Sequence, residues 1–352
     1  MSVQIAMLMA FAGAEGDTAA EMAGALGVSG IDRLHDAVNA LDQLLESYNR
    51  EAEPLPDGTE QKVILSIVNA LWGQSGFGFE DDYLDVLAGR YGAGMHVVDF
   101  VGATEAARQE INGWVADQTN DRITDLIPAG ALGPMTRLVI TNAVYLDATW
   151  QVQFDPEATE DGEFTLLDGT TVTVPFMHGD PMVPYAAGDG WQAFELAYTG
   201  GDLSMLVVLP DVGRFAEVEA QLGAGMLADA AGSLQPTMLL LSLPKFETRT
   251  QVSLREALSG LGMPMAFDPV AADFSGITTE QAVFVSDVIH EAFIAVDEAG
   301  TEAAAATAVV MRATAMPTDQ VQVDVDRPFL FALRDRATGS ILFMGRITDP
   351  AG

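Results

Sequence analysis

The chain of 352 residues contains no cysteine. Disulfides, thiolate metal sites and a cysteine nucleophile are excluded, and redox chemistry leaves no mark of the compartment. Positive charge is scarce as well. Arginine and lysine total 16 against 51 acidic residues, and the only lysines are Lys62 and Lys245. A formal net charge of −35 repels a phosphate backbone and speaks against nucleic-acid binding. No apolar run reaches the ~18 residues that a membrane span needs. The longest, such as LSMLVVLP at 203–210, are strand-sized. Four histidines, at 35, 96, 178 and 290, show no metal-ligand spacing. There is no G-x-S-x-G elbow, no P-loop and no G-x-G-x-x-G after a strand. No constellation for an enzyme or a cofactor emerges.

What is present is a large apolar fraction, 49% of the residues. That is enough for a sizeable core and too much for a disordered acidic chain. The balance points to an acidic, solvated shell around an ordinary core, which suits a high-salt setting where counter-ions screen self-repulsion.

Helical periodicity dominates the first third. MSVQIAMLMAFAG places Ile5, Leu8, Met9 and Ala12 at helical spacing. In DTAAEMAGALG, Thr18 and Glu21 have the spacing of a capping box and Gly27 that of a C-cap. Residues 32–47 and 104–119 predict further helices, as does FEDDYLDVLAGRYG. Residues 51–61 read as a loop, 62–74 as a buried strand and 95–100 as a short one. From Arg137 strands take over. RLVITNAVYLDATW, TMLLLSLPKFETRT and VFVSDVIHEAFIAVDE are long strands, with a helix at 252–262 between the last two. Hairpins are expected around Asp168-Gly169, around Gly200-Gly201 and over residues 328–347. Helices first and strands after predict an α+β fold, mostly antiparallel, in one large domain.

Two features stand apart. His35, near Asp32 and Asp36 on a predicted helix, reads as a solvated surface position. His290 lies inside an apolar strand, on the face of Val288, Ala292, Ile294 and Val296, where a buried imidazole needs hydrogen-bond partners. The second feature is DEAGTEAAAATAVVMRATAMP at 297–317. Its alanines favour helix by propensity. Yet nearly thirty residues separate Glu298 from Pro328, with at most a short strand at 321–325. A loop of that length in a compact domain is functional or disordered. Its small side chains also alternate as a strand would. Thr301, Ala303, Ala305 and Thr307 fall on one side, and Glu302, Ala304 and Ala306 on the other.

At this point the sequence resembles the serpins over nearly its whole length. The hinge GTEAAAAT (Gly300 to Thr307) carries the resemblance, with VSDVIHEAFIAVDEAG, LPKF at 243–246, ADFSGIT at 272–278, TNAVYLDATWQVQFDP at 141–156, RPFLF and LFMGRI, all in family order. The resemblance implies a serpin fold over residues 1–352: three mostly antiparallel β-sheets, about eight helices and an exposed reactive-centre loop at 299–320. It implies a serine protease inhibitor that acts as a suicide substrate, probing a target protease as a monomer with no cofactor and no membrane. Glu298 matches the glutamate that opens the family's hinge. The reactive residue sixteen positions later places the scissile bond at Thr314–Ala315, suited to elastase-like or subtilisin-like proteases. Arg312 is the alternative, suited to a trypsin-like pocket; Met311 and Met316 fit less well. Ser2, Asn142 and His290 match the family's shutter. Lys245 and Glu298, beside Trp150, match its ion pair at the top of the large sheet.

Two departures from the family pattern bear on this. Residue 299 is Ala where inhibitory members often carry a charge, with little effect expected. The helix and short strand that normally precede residue 2 are absent, so the apolar surface of the helix at 2–13 should be exposed. Neither this start nor the absence of a signal peptide defines a compartment, extracellular or cytoplasmic. The competing reading is a non-inhibitory serpin acting as a binding or chaperone-like protein. The alanine-rich hinge speaks against it, because such members tend to carry bulky, charged or Pro residues there.

Overall fold

Arg137 marks the change from helix-rich to strand-rich sequence in the computed structural model, which describes residues 1–28, 31–54, 60–222, 225–301 and 320–352. Before it lie α1 (Ser2–Phe11), α2 (Gly16–Leu26), α3 (Ile31–Glu46), β1 (Arg50–Pro54), β2 (Glu60–Gln74), α4 (Asp81–Tyr91), β3 (Met95–Val98) and α5 (Thr104–Gln118). After it come β4 (Leu138–Thr149), β5 (Glu160–Thr165), β6 (Thr171–Gly179), β7 (Met182–Gly188), β8 (Trp191–Ala197), β9 (Leu203–Pro210), α6 (Phe215–Gln221) and α7 (Met226–Ser233). The last third holds β10 (Gln235–Pro244), β11 (Phe246–Ser253), α8 (Arg255–Gly260), β12 (Val285–Val296), β13 (Gly300–Thr301), β14 (Gln320–Asp324), β15 (Phe329–Asp335) and β16 (Ile341–Ile347). The fold is α+β, as expected.

Contacts divide the chain into two compact units. One comprises Met1–Ser47, Ser66–Tyr145 and Arg249–Phe293; the other comprises Tyr48–Leu65, Leu146–Thr248 and Ile294–Gly352. In the first, β4 and β12 pair in parallel, with Leu138 opposite Val285 and Val144 opposite Ala292. All twelve residues of β4 are buried, so it reads as a continuous apolar run rather than an alternating one. One core cluster joins α1 with Met22, Leu87, Ile140, Phe267 and Val288. A second joins Trp72, Ile111, Val115, Val139 and Ile289.

The second unit holds a nine-stranded sheet in the order β16-β15-β9-β8-β7-β10-β6-β5, with β14 on β10. β10 is antiparallel to β7 over its first half and to β6 over its second. Hydrogen bonding through β10 thus joins into one ladder what the family resemblance counts as separate sheets. The β8–β9 turn uses Gly200 and Gly201, both at positive φ, as a tight hairpin between right-twisted strands requires. β7, α6 and α7 lie outside the elements expected from periodicity.

Several expectations need correction. Residues 50–54 are a strand, not a loop, because β2 begins at Glu60 and offers an edge on which Arg50 pairs with Val63 and Pro54 with Glu60. The run at 237–250 divides at Lys245 into β10 and β11, and the helix expected from 252 starts only at Arg255. The capping box does not form. α2 starts three residues early, with Glu15 at the N-cap and no side-chain cap bond. The Thr18 hydroxyl instead accepts from the Asp273 N–H at 2.9 Å, and the Glu21 carboxylate accepts from the Met265 N–H at 2.9 Å. Gly27 does end α2, in the left-handed conformation.

His35 is buried, at 5% exposure, with its Nδ1 bonded to the Tyr91 hydroxyl; the face of α3 that carries it is turned to α4. The expected exposed face of α1 is covered too. Ser2 and every residue from Ile5 to Phe11 are buried and only Gln4 is exposed, because an all-round apolar helix belongs inside a core.

Thr18→Val keeps the shape of the side chain and removes its oxygen. It should cost about 1–2 kcal/mol, the price of an unsatisfied amide, whereas Thr18→Ser should be near neutral. Urea midpoints of the two variants check this.

Candidate functional site

Parallel register sets the first cluster. On β4 and β12, Asn142 and His290 are direct partners. His290 Nδ1 donates to Asn142 Oδ1 at 2.6 Å, and the Ser2 hydroxyl donates to the same oxygen at 3.2 Å. The Asn142 amide nitrogen donates to Asn69 Oδ1 on β2 at 2.6 Å. Asn142 is fully buried and spends both ends of its amide on side chains. Burial holds His290 below the ordinary histidine range, and Nδ1 faces the acceptor oxygen of Asn142. The structure therefore brings together Ser2, Asn142 and His290, which sequence had paired. Asn69 is the member that sequence missed. A polar residue inside the apolar run of β2 was the available signal.

The second cluster is built on the turn after β12. Asp297 N–H donates to Gly300 O at 3.0 Å, while Asp297 Oδ1 accepts from the amides of Ala299 and Gly300 at 2.9 and 3.2 Å. The chain then forms β13, whose Thr301 pairs antiparallel with both Val296 of β12 and Ala148 of β4. Gly300 is required here by close approach. A Cβ at this position would meet the Ala148 carbonyl oxygen at 2.1 Å and Thr149 Cα at 2.7 Å.

Side chains clamp the turn from several directions. Lys245 Nζ donates to Glu298 Oε2 at 2.7 Å and the Thr159 hydroxyl donates to Glu298 Oε1 at 2.7 Å. Burial works to raise the Glu298 pKa, but these two bonds outweigh it and hold the carboxyl below its ordinary range. Trp150 donates from its ring nitrogen to Asp297 O at 3.0 Å and from its backbone to Ala299 O at 2.8 Å. The Trp150 ring stacks on Tyr198, with centroids 4.6 Å apart and planes 13° from parallel. The Tyr198 hydroxyl bonds Thr301 Oγ1 at 2.6 Å. Ala299 is buried.

Glu298, Gly300, Thr301, Lys245 and Trp150 thus converge as the sequence suggested, and Thr159, Tyr198 and Asp297 join them. Glu302, Ala303, Ala304, Ala305, Ala306, Thr307, Arg312, Thr314 and Ala315 lie outside the described residues. Among the described residues no group of acidic and histidine side chains could hold a metal ion, and no helix is long and apolar enough to cross a membrane.

The lowered pKa of His290 carries a pH dependence with a definite sign. Its folded pKa lies below the unfolded value, so the unfolded chain binds more protons between the two. Its contribution is whole above the ordinary histidine pKa of about 6.5 and is lost as pH falls below it. Urea midpoints should drop between about pH 7.5 and 5.5, and His290→Gln should flatten that drop.

The family model described as serpin (serine protease inhibitor) matches residues 1–350. An uncharacterized serpin-like protein of Thermococcus kodakarensis is 40% identical, over 99% of this chain and 79% of its own. Leukocyte elastase inhibitor of Xenopus laevis is 34% identical, over 99% of this chain and 92% of its own. Among solved structures, thyroxine-binding globulin in complex with thyroxine superposes with a TM-score of 0.84 at 28% identity, over 99% of this chain and 91% of that one. With this match along nearly its whole length, the chain belongs to the serpin family.

Proposed function

We propose that this serpin is an inhibitory one, a suicide substrate for a serine protease. The observation that carries the reading is β13. Gly300 and Thr301 already stand as a strand between the ends of β4 and β12, antiparallel to both. A hinge seated there can extend in the same direction between strands that elsewhere pair directly in parallel, a slightly weaker arrangement per residue than the antiparallel pairing that would replace it.

In this reading residues 1–352 act as a single serpin domain and 299–320 are its reactive-centre loop. The protease serine attacks the carbonyl carbon of Thr314. The Thr314–Ala315 bond breaks, Ala315 leaves as a new amine, and Thr314 remains esterified to the serine. The freed loop then enters the sheet before water cleaves the ester. The small side chain at Thr314 fits the shallow pockets of elastase-like or subtilisin-like proteases. Cleavage after Arg312 would instead serve a trypsin-like enzyme. The Asn142 cluster acts as the shutter, and Lys245, Glu298 and Trp150 anchor the start of the hinge. The inhibitor acts as a monomer and without a cofactor, and its acidity adapts it to high salt.

The likeness to thyroxine-binding globulin favours a second reading, a binding serpin that traps nothing. Loop cleavage separates the two. Insertion raises thermal stability sharply, whereas a loop that stays out leaves it unchanged.

Incubation with subtilisin, elastase and trypsin should give an SDS-stable complex with one of the first two. Mass spectrometry of the released peptide should show an N-terminus at Ala315; one at Ala313 would move the bond to Arg312. Thr301 is 1% exposed, so Thr301→Arg would bury an unpaired guanidinium and should be cleaved without trapping. A stable complex of that variant overturns the insertion reading. Molar KCl should raise the unfolding midpoint, and equal midpoints at low and high salt would refute the high-salt adaptation.

A further inference from the structure

β10 breaks the alternation that a sheet with one solvated face shows. Leu239, Leu241 and Leu243 are buried, as are Val183 on β7 and Val323 on β14. The β10 positions that alternate with them should be polar. Two of them are Met238 and Leu240 instead, and Leu240 is 42% exposed. Met182 on β7 is the register partner of Met238, projects to the same side and is 58% exposed. On the other edge of β10, Met238 and Leu240 pair with Gln320 and Gln322 of β14. The result is a strip across three strands, apolar at its centre and bordered by neutral amides. In a chain of net charge −35, charge returns to this face only at its margins, with Asp180 and Asp324.

The place of the strip along the chain points to what covers it. β14 begins at Gln320, five residues after Ala315. Five residues span at most about 18 Å when fully extended. A protease domain of about 200 residues has a radius of gyration of about 16 Å. An enzyme seated on the Thr314–Ala315 bond therefore has its body within reach of β14 and β10, on the side of its cleft past the bond. Cleavage after Arg312 adds two residues and keeps the strip within reach. Rich in methionine and poor in charge is the composition of an interface centre rather than of free surface. We propose that Met182, Met238 and Leu240 form a docking surface for the body of the target protease, one that takes an apolar, uncharged rim beside the cleft. The proposal rests on the inhibitory reading. It adds to the loop a second determinant of the target, by which enzymes with the same pocket but a charged rim are passed over.

Met182→Glu/Leu240→Glu tests it, because both side chains are exposed and the core is left alone. With the protease that the parent chain traps fastest, the second-order rate of inhibition should fall about tenfold. The ratio of cleaved to trapped chain should stay the same, because it is set after the bond is cut. Thermal midpoints should match the parent, which shows that the fold is kept. Met182→Gln/Leu240→Gln, which adds no charge, should show a smaller loss in the same direction. Val212→Glu, at an exposed position after β9, should inhibit at the parent rate. An unchanged rate in the double glutamate variant, or an equal loss in Val212→Glu, overturns the proposal. A parent chain that is cut in its loop but traps nothing loses the inhibitory reading alone. The rate of that cut then takes the place of the inhibition rate, and the same comparison decides the strip.

Discussion

β4 and β12 run parallel, and between parallel neighbours a third strand can run the other way and form two antiparallel ladders. β13 does this over two residues at one end of the pair. The remaining features of the site answer the demands of that arrangement. Gly300 leaves no space for a Cβ against the Ala148 carbonyl. The turn before it is held by Asp297 and Glu298 through backbone and side-chain bonds. Thr301 must leave no polar atom unsatisfied, and Tyr198 meets that requirement.

The same pair of strands is held closed by polar groups in apolar surroundings. Asn142 sits in a strand whose twelve residues are all buried, yet both ends of its amide are engaged by Ser2, Asn69 and His290. Such a network is strong when complete and costly when broken. At the other cluster, Lys245 and Glu298 form a partly buried pair whose hydrogen bonds and charge hold the Glu298 carboxyl below its ordinary range despite burial.

Where sequence misled, a long-range contact overrode a local pattern. Thr18 and Glu21 have the spacing of a capping box, but their oxygens serve the amides of Asp273 and Met265. His35 lies between acidic neighbours in sequence and against Tyr91 in space. α1 has no polar face wide enough for a surface helix, and it is buried nearly all round.

Periodicity and turn residues sufficed for the long strands, the Gly200-Gly201 hairpin and the α+β class, because those signals are local. The alternation of small residues from Thr301, and the oddity of a histidine in the apolar run of β12, were also legible from the chain alone. So was the family, through motifs in order. Tertiary structure alone decided that Asn69 joins Asn142 and that Tyr198 meets Thr301. Tyr198 and Thr301 are far apart in sequence, as are Asn69, Asn142 and His290, and a buried hydrogen bond depends on the partner that folding supplies rather than on neighbours along the chain. Local pattern specified the strands; strand order and register specified what their side chains hold.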